Sequence, residues 1–61
     1  NYYLVRRSIV ASRDIAEGEV FTKENIATKR AGRVVLEPNK YWDVLGKNAK
    51  YVFKKNDFIE L

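Results

Sequence analysis

Apolar positions along this chain alternate in short bursts, none long enough for an extended helix or a broad sheet. Residues 3–11, YLVRRSIVA, are β-branched and aromatic with partial alternation. That predicts one or two short strands, with Arg6 and Arg7 on opposite faces. Ser12 to Ile15 continues extended. Ala16-Glu17-Gly18-Glu19 reads as a turn, because Gly18 reaches positive φ without steric cost. Val20 and Phe21 then return to the core. Thr22 to Ile26 has the marks of a single helical turn, with Thr22 as N-cap and Glu24 near the positive end of its dipole. Thr28 to Arg33 reads as a loop around Gly32, and Val34-Val35-Leu36 as an apolar stretch. Pro38 sits near the first position of a second short helix. Tyr41, Val44 and Leu45 give that helix one apolar face, and Gly46 ends it. Residues 49–61 predict a final extended pair bent at 54–57.

The pattern repeats. Residues 11–21, ASRDIAEGEVF, align with residues 49–59, AKYVFKKNDFI, at a constant offset of 49 − 11 = 38 residues. Each copy runs from a small residue through a strand and an apolar anchor to a polar turn, an acid and two apolar residues. Gly18 aligns with Asn56, and these are the residue types that best tolerate a left-handed backbone. Neither half can bury its own apolar face, so the two must interlock. The expected fold is mostly β with short helical turns and an internal pseudo-twofold repeat.

Composition narrows the function. With 61 residues the chain makes one domain, 1–61, and buries only about 60% of its unfolded surface. It has no Cys and no His. That excludes a thiolate or imidazole metal site and every Ser-His or Cys-His nucleophile arrangement. The eight acidic residues are scattered without calcium-loop spacing. No catalytic set is visible, so the isolated domain is expected not to be an enzyme. No apolar run approaches membrane-spanning length and no signal peptide is visible, which fits a cytoplasmic setting. The chain opens Asn1-Tyr2-Tyr3 and lacks methionine. It is expected to be a fragment of a larger protein, whose function it serves.

A net charge of +4 permits an anionic partner without requiring one. Lys40, Tyr41, Trp42, Lys47, Lys50, Tyr51, Lys54 and Lys55 interleave cations with rings, as a small basic nucleic-acid-binding module would. Asp43, Asp57 and Glu60 interrupt the run and weaken binding by counterion release. Tyr41 is expected on the core face and Trp42 at an interface. The densest cationic stretch is T-K-R-A-G-R at 28–33, where Lys29, Arg30 and Arg33 surround Gly32. Arginine there offers a planar fork of donors suited to an amide carbonyl or a carboxylate.

An ordered set of short motifs resembles a known family. Its parts are Arg7-Ser8-Ile9-Val10-Ala11-Ser12-Arg13-Asp14-Ile15, Gly18-Glu19, Thr22-Lys23-Glu24-Asn25-Ile26, Lys29-Arg30, Gly32 and Leu45-Gly46-Lys47. Over residues 6–61 these resemble the antifreeze-like, or SAF, domain found at the C-terminus of sialic acid synthases. The resemblance implies the small β-clip or pretzel fold shared with type III antifreeze proteins. It implies a parent that condenses phosphoenolpyruvate with an N-acylated amino sugar on a (β/α)₈ barrel, using a divalent metal, Mn or Mg. It also implies a domain-swapped dimer, in which this domain covers the partner subunit's barrel. The matching arginine, Arg30, would contact the sugar's N-acyl group, with Lys29, Gly32 and Arg33 as weaker flanking contacts. Other parents carry SAF domains too, among them pilus or flagellar assembly chaperones and sugar-acid dehydratases. Ice binding would need a flat, weakly charged surface, and a third of these residues are charged.

The family run K-R-P-G-x-G reads Lys29-Arg30-Ala31-Gly32-Arg33-Val34 here. Ala31 releases the φ restraint a proline would give, and Val34 disfavours the positive φ a glycine would allow.

Overall fold

The sheet forms where residues 7–11 and 26–30, each carrying two β-branched side chains, run antiparallel. A computed structural model of the chain describes residues 7–30 and 32–61. The expectations for the strand over 3–6, with Arg6, and for Ala31 fall outside those residues. Strand β1 (Arg7–Ala11) pairs antiparallel with β2 (Ile26–Arg30), placing Arg7 opposite Arg30, Ile9 opposite Thr28 and Ala11 opposite Ile26. Opposed residues share a face. One face therefore sends Ile9, Ala11 and Ile26 into the core and ends in Arg7 and Arg30. The other carries Ser8, Val10, Ala27 and Lys29.

This corrects the expected loop over 28–33. Thr28, Lys29 and Arg30 continue β2, and the chain leaves the sheet only beyond Arg30. Pairing with β1 satisfies their backbone groups, and that outweighs the loop-like composition of the stretch. The turn before β2 is shorter than expected. Thr22 holds it, its Oγ1 accepting the Glu24 N–H at 3.2 Å and its carbonyl the Asn25 N–H at 3.2 Å. Ile26 already belongs to the strand. Phe21 is buried as expected, but Val20 is 43% exposed. Adjacent residues of an extended segment point to opposite sides, so only one of the pair reaches the core.

Beyond Leu36, Pro38–Lys40 form one 3₁₀ turn that runs into helix α1 (Tyr41–Val44). Val44 is fully buried, Tyr41 and Leu45 lie against the core, and Gly46 takes φ 90° to end the helix. Among the described residues, no helix is long and apolar enough to cross a membrane.

The repeat is written in backbone hydrogen bonds. Gly18 N–H donates to the Ala49 carbonyl at 2.7 Å, and Asn56 N–H donates to the Ala11 carbonyl at 2.7 Å. Ala49 N–H donates to Glu19 and Ala11 N–H to Asp57, at 2.8 and 2.9 Å. Phe21 N–H reaches the Lys47 carbonyl and Ile59 N–H the Ile9 carbonyl, at 2.8 and 2.9 Å. Each bond becomes the other when 38 is added to one residue number and subtracted from the other. The two half-units thus interlock reciprocally around one core, which includes Ile9, Ile15, Phe21, Phe53 and Ile59.

Candidate functional site

Arg30 ends β2 on the core-side face of the sheet, exposed, next on that face beyond buried Ile9 and half-buried Thr28. Its cross-strand neighbour is another arginine. Arg7 Nη2 donates to the Thr28 carbonyl at 3.2 Å and to Thr28 Oγ1 at 3.4 Å. Its guanidinium therefore leans back along the ladder over the residue two positions before Arg30. Like charges directly opposed across a strand pair are unfavourable. Among the described residues, neither arginine has a carboxylate within ion-pair distance. The two ion pairs among the described residues lie elsewhere, Arg13 with Glu19 at 3.7 Å and Lys54 with Asp14 at 3.9 Å.

The other cations of the stretch are engaged. Lys29 points to the opposite face, where its Nζ donates to Asn56 Oδ1 at 2.9 Å. The Arg33 guanidinium lies 4.7 Å from the centre of the Phe58 ring, a cation–π distance. Gly32 takes φ 73°, and a Cβ there would meet nothing within 4 Å. A side chain there would be strained by the backbone conformation and not by a neighbour. Val34 avoids positive φ, as a β-branched residue should. The structure thus separates Arg30 from Lys29 and Arg33 and joins it instead to Arg7.

Three residues escaped the sequence reading as parts of this region. Arg7 was placed on a strand but not opposite Arg30, since register depends on a partner 23 residues away. Ser8 is fully buried and staples the segment after the loop to β1. Its Oγ accepts the N–H groups of Val35 and Leu36 at 3.2 and 3.3 Å and donates to the Leu36 carbonyl at 3.3 Å. Asn25 is also fully buried and closes the turn into β2. Its Oδ1 accepts the Thr22 N–H at 2.8 Å, and its Nδ2 donates to the Val20 carbonyl at 2.9 Å. A small polar residue among β-branched neighbours is the signal that could have marked Ser8.

The remaining chemistry is sparse. No group of three potential metal ligands comes together among the described residues. Trp42 is 69% exposed, stacked edge-on against Tyr41 at 5.3 Å with Lys23 Nζ 5.5 Å from its ring. Tyr51 meets Phe53 edge-on at 6.2 Å. Glu19 is held below the usual carboxylate range, first by the Ala16 N–H and then by Asn25, with Arg13 adding a smaller attraction. Burial pushes the other way.

A family model described as the SAF domain matches residues 6–60. The chain is 37% identical over 59 residues to N,N'-diacetyllegionaminic acid synthase of Campylobacter jejuni, an overlap covering 97% of this chain and 17% of that protein. It is 39% identical over 54 residues to pseudaminic acid synthase of the same organism, covering 88% of this chain and 16% of that protein. The chain spans about one sixth of the length of these curated relatives.

Proposed function

The chain belongs to the SAF domain family, and on that premise we propose that it is the substrate-capping domain of a sialic-acid-type synthase. Such a parent condenses phosphoenolpyruvate with an N-acylated amino sugar in the cytoplasm. The curated relatives are named as a diacetyllegionaminic acid synthase and a pseudaminic acid synthase, which favours this parent over the chaperones and dehydratases that carry other SAF domains. In this reading the domain covers the barrel of a partner subunit, excludes water and orients the sugar through Arg30. Holding a reactant in one geometry lowers the entropic part of the barrier.

The observation that carries the reading is the state of Arg30. It stands at the open end of β2, exposed, without an ion-pair partner among the described residues, while Asn56 and Phe58 occupy Lys29 and Arg33. A guanidinium so placed can donate two N–H bonds to an amide carbonyl. The family's divalent metal is a different matter. In this reading it belongs to the parent enzyme, and no step proposed for this domain runs through it.

The test uses the full-length protein that carries this chain. Arg30→Ala should raise KM for the amino sugar about tenfold, the worth of a charge-assisted hydrogen bond. KM for phosphoenolpyruvate and the thermal midpoint should hold. Equal losses for both substrates, or a collapse of the midpoint, would remove the assigned role.

A further inference from the structure

Arg7 and Arg30 face each other at the last pair of the ladder, both on the core-side face. Cβ atoms of directly opposed residues lie about 5 Å apart, so the two guanidinium groups compete for the same space and repel. The competition is already decided for Arg7. Two contacts to Thr28, one to its carbonyl at 3.2 Å and one to its hydroxyl at 3.4 Å, hold the Arg7 head over the inner end of the pair. Thr28 lies two residues before Arg30 on the same face, the place onto which an unrestrained Arg30 would fold back. Arg7 fills that place with a positive charge.

We propose that Arg7 is a positioning residue for Arg30, keeping the Arg30 guanidinium off its own strand and directed beyond the sheet. The inference rests on the reading of Arg30 as a ligand contact. It adds a residue that touches no ligand yet sets how much of the Arg30 population is ready to bind. Thr28 completes the device, because its carbonyl and hydroxyl fix which arginine leans inward. A protein whose competent state is only partly populated binds proportionally more weakly. Loss of Arg7 should therefore be read in affinity, not in the rate of chemistry.

Charge reversal gives the sharpest test. In the full-length protein, Arg7→Glu should capture Arg30 in a cross-strand ion pair and raise KM for the amino sugar about tenfold, as Arg30→Ala does. KM for phosphoenolpyruvate and kcat should stay within about twofold. The thermal midpoint should hold or rise. Arg7→Lys, which keeps the charge, should stay near the parent values, and Arg7→Gln should fall between. In an Arg30→Ala background, Arg7→Glu should add nothing. Two results overturn the proposal: sugar KM unchanged in both Arg7→Glu and Arg7→Gln while Arg30→Ala raises it, or independent addition of the Arg7 and Arg30 effects. A silent Arg30→Ala overturns the ligand reading instead. The midpoint of Arg7→Glu, compared with and without Arg30, then still decides whether the two side chains are coupled.

Discussion

Ile15 and Phe53 exchange backbone hydrogen bonds, N–H to carbonyl in both directions, at 2.8 and 2.9 Å. They are also each other's equivalent in the repeat, 38 residues apart. A residue bonded reciprocally to its own counterpart lies beside the axis relating the halves, which passes between the two. Both side chains are buried in the shared core, and the Phe53 ring meets Phe21 at 6.0 Å.

Truncation beside that axis should damage both halves at once. Phe53→Ala is expected to cost about 3–5 kcal/mol and Ile15→Ala about 2–5 kcal/mol. A chain of this size has on the order of 3–9 kcal/mol in total. Phe53→Ala should therefore leave a substantial unfolded fraction at room temperature. Denaturant unfolding followed by circular dichroism checks it. A loss below about 1 kcal/mol would mean the halves do not depend on this contact.

The two equivalent turns reach the same backbone state by different residues. Gly18 has φ 87° and Asn56 has φ 76°, and a Cβ at Gly18 would meet nothing within 4 Å. The cost of a side chain at Gly18 is thus conformational and not steric. Asn56→Gly should change stability by no more than about 0.5 kcal/mol. Gly18→Val should cost at least about 1–2 kcal/mol, and Gly18→Asn clearly less. Thermal midpoints of the three variants should follow that order. A Gly18→Val variant as stable as Gly18→Asn would contradict the turn assignment.

The repeat shows how much the sequence revealed. Its offset, its turns at Gly18 and Asn56 and its anchors at Ile15 and Phe53 were readable because each position states a local need. Small, apolar, left-handed-tolerant and acidic residues recur in one order. The helix at 41–44 was readable for the same reason, through Pro38, the apolar spacing and Gly46. What was not readable depended on partners distant in sequence. Thr28-Lys29-Arg30 looks like a loop by composition and is a strand because β1 is there to pair with it. The partners that engage Lys29 and Arg33 are legible only once Asn56 and Phe58 are placed beside them. The family resemblance pointed to Arg30. Register alone brought Arg7 to it.

Glu19 should govern part of the acid sensitivity. Its Oε1 accepts the Ala16 N–H at 2.9 Å, and this bond, followed by the contact with Asn25, holds the carboxyl below its ordinary value. A group depressed in the folded state contributes stability that is fully present above its unfolded value. That contribution is lost as pH falls through the folded value. The loss should therefore begin below the ordinary glutamate range, near pH 4.5, and deepen at lower pH. Glu19→Gln should lower the thermal midpoint at neutral pH and flatten its decline in that window. An acid decline as steep in Glu19→Gln as in the parent protein would place the sensitivity on other carboxylates.

Asn25 offers the strictest check on the turn that sets β2 in register. Its carbonyl oxygen accepts from Thr22 and its amide donates to Val20 and, at 3.3 Å, to Glu19 Oε2. Asn25→Ala leaves the Thr22 N–H and the Val20 carbonyl without these partners and should cost about 1–3 kcal/mol. Asn25→Asp keeps the shape and the bond to Thr22, but sets an oxygen where the donor was. That oxygen faces the Val20 carbonyl and the Glu19 carboxylate, so the variant should be destabilised at least as much at neutral pH. The two variants should then diverge. An acid at this position is raised by its neighbours, so its penalty applies above its folded value and is relieved as pH falls and the carboxyl regains a proton to donate. Asn25→Ala has no such recovery, because it places no acid against Glu19. The midpoint difference between the two variants, followed from neutral pH into the carboxylate range, should shrink or reverse. A difference that stays constant with pH would show that the Asn25 amide does not face Glu19 and Val20 as donor.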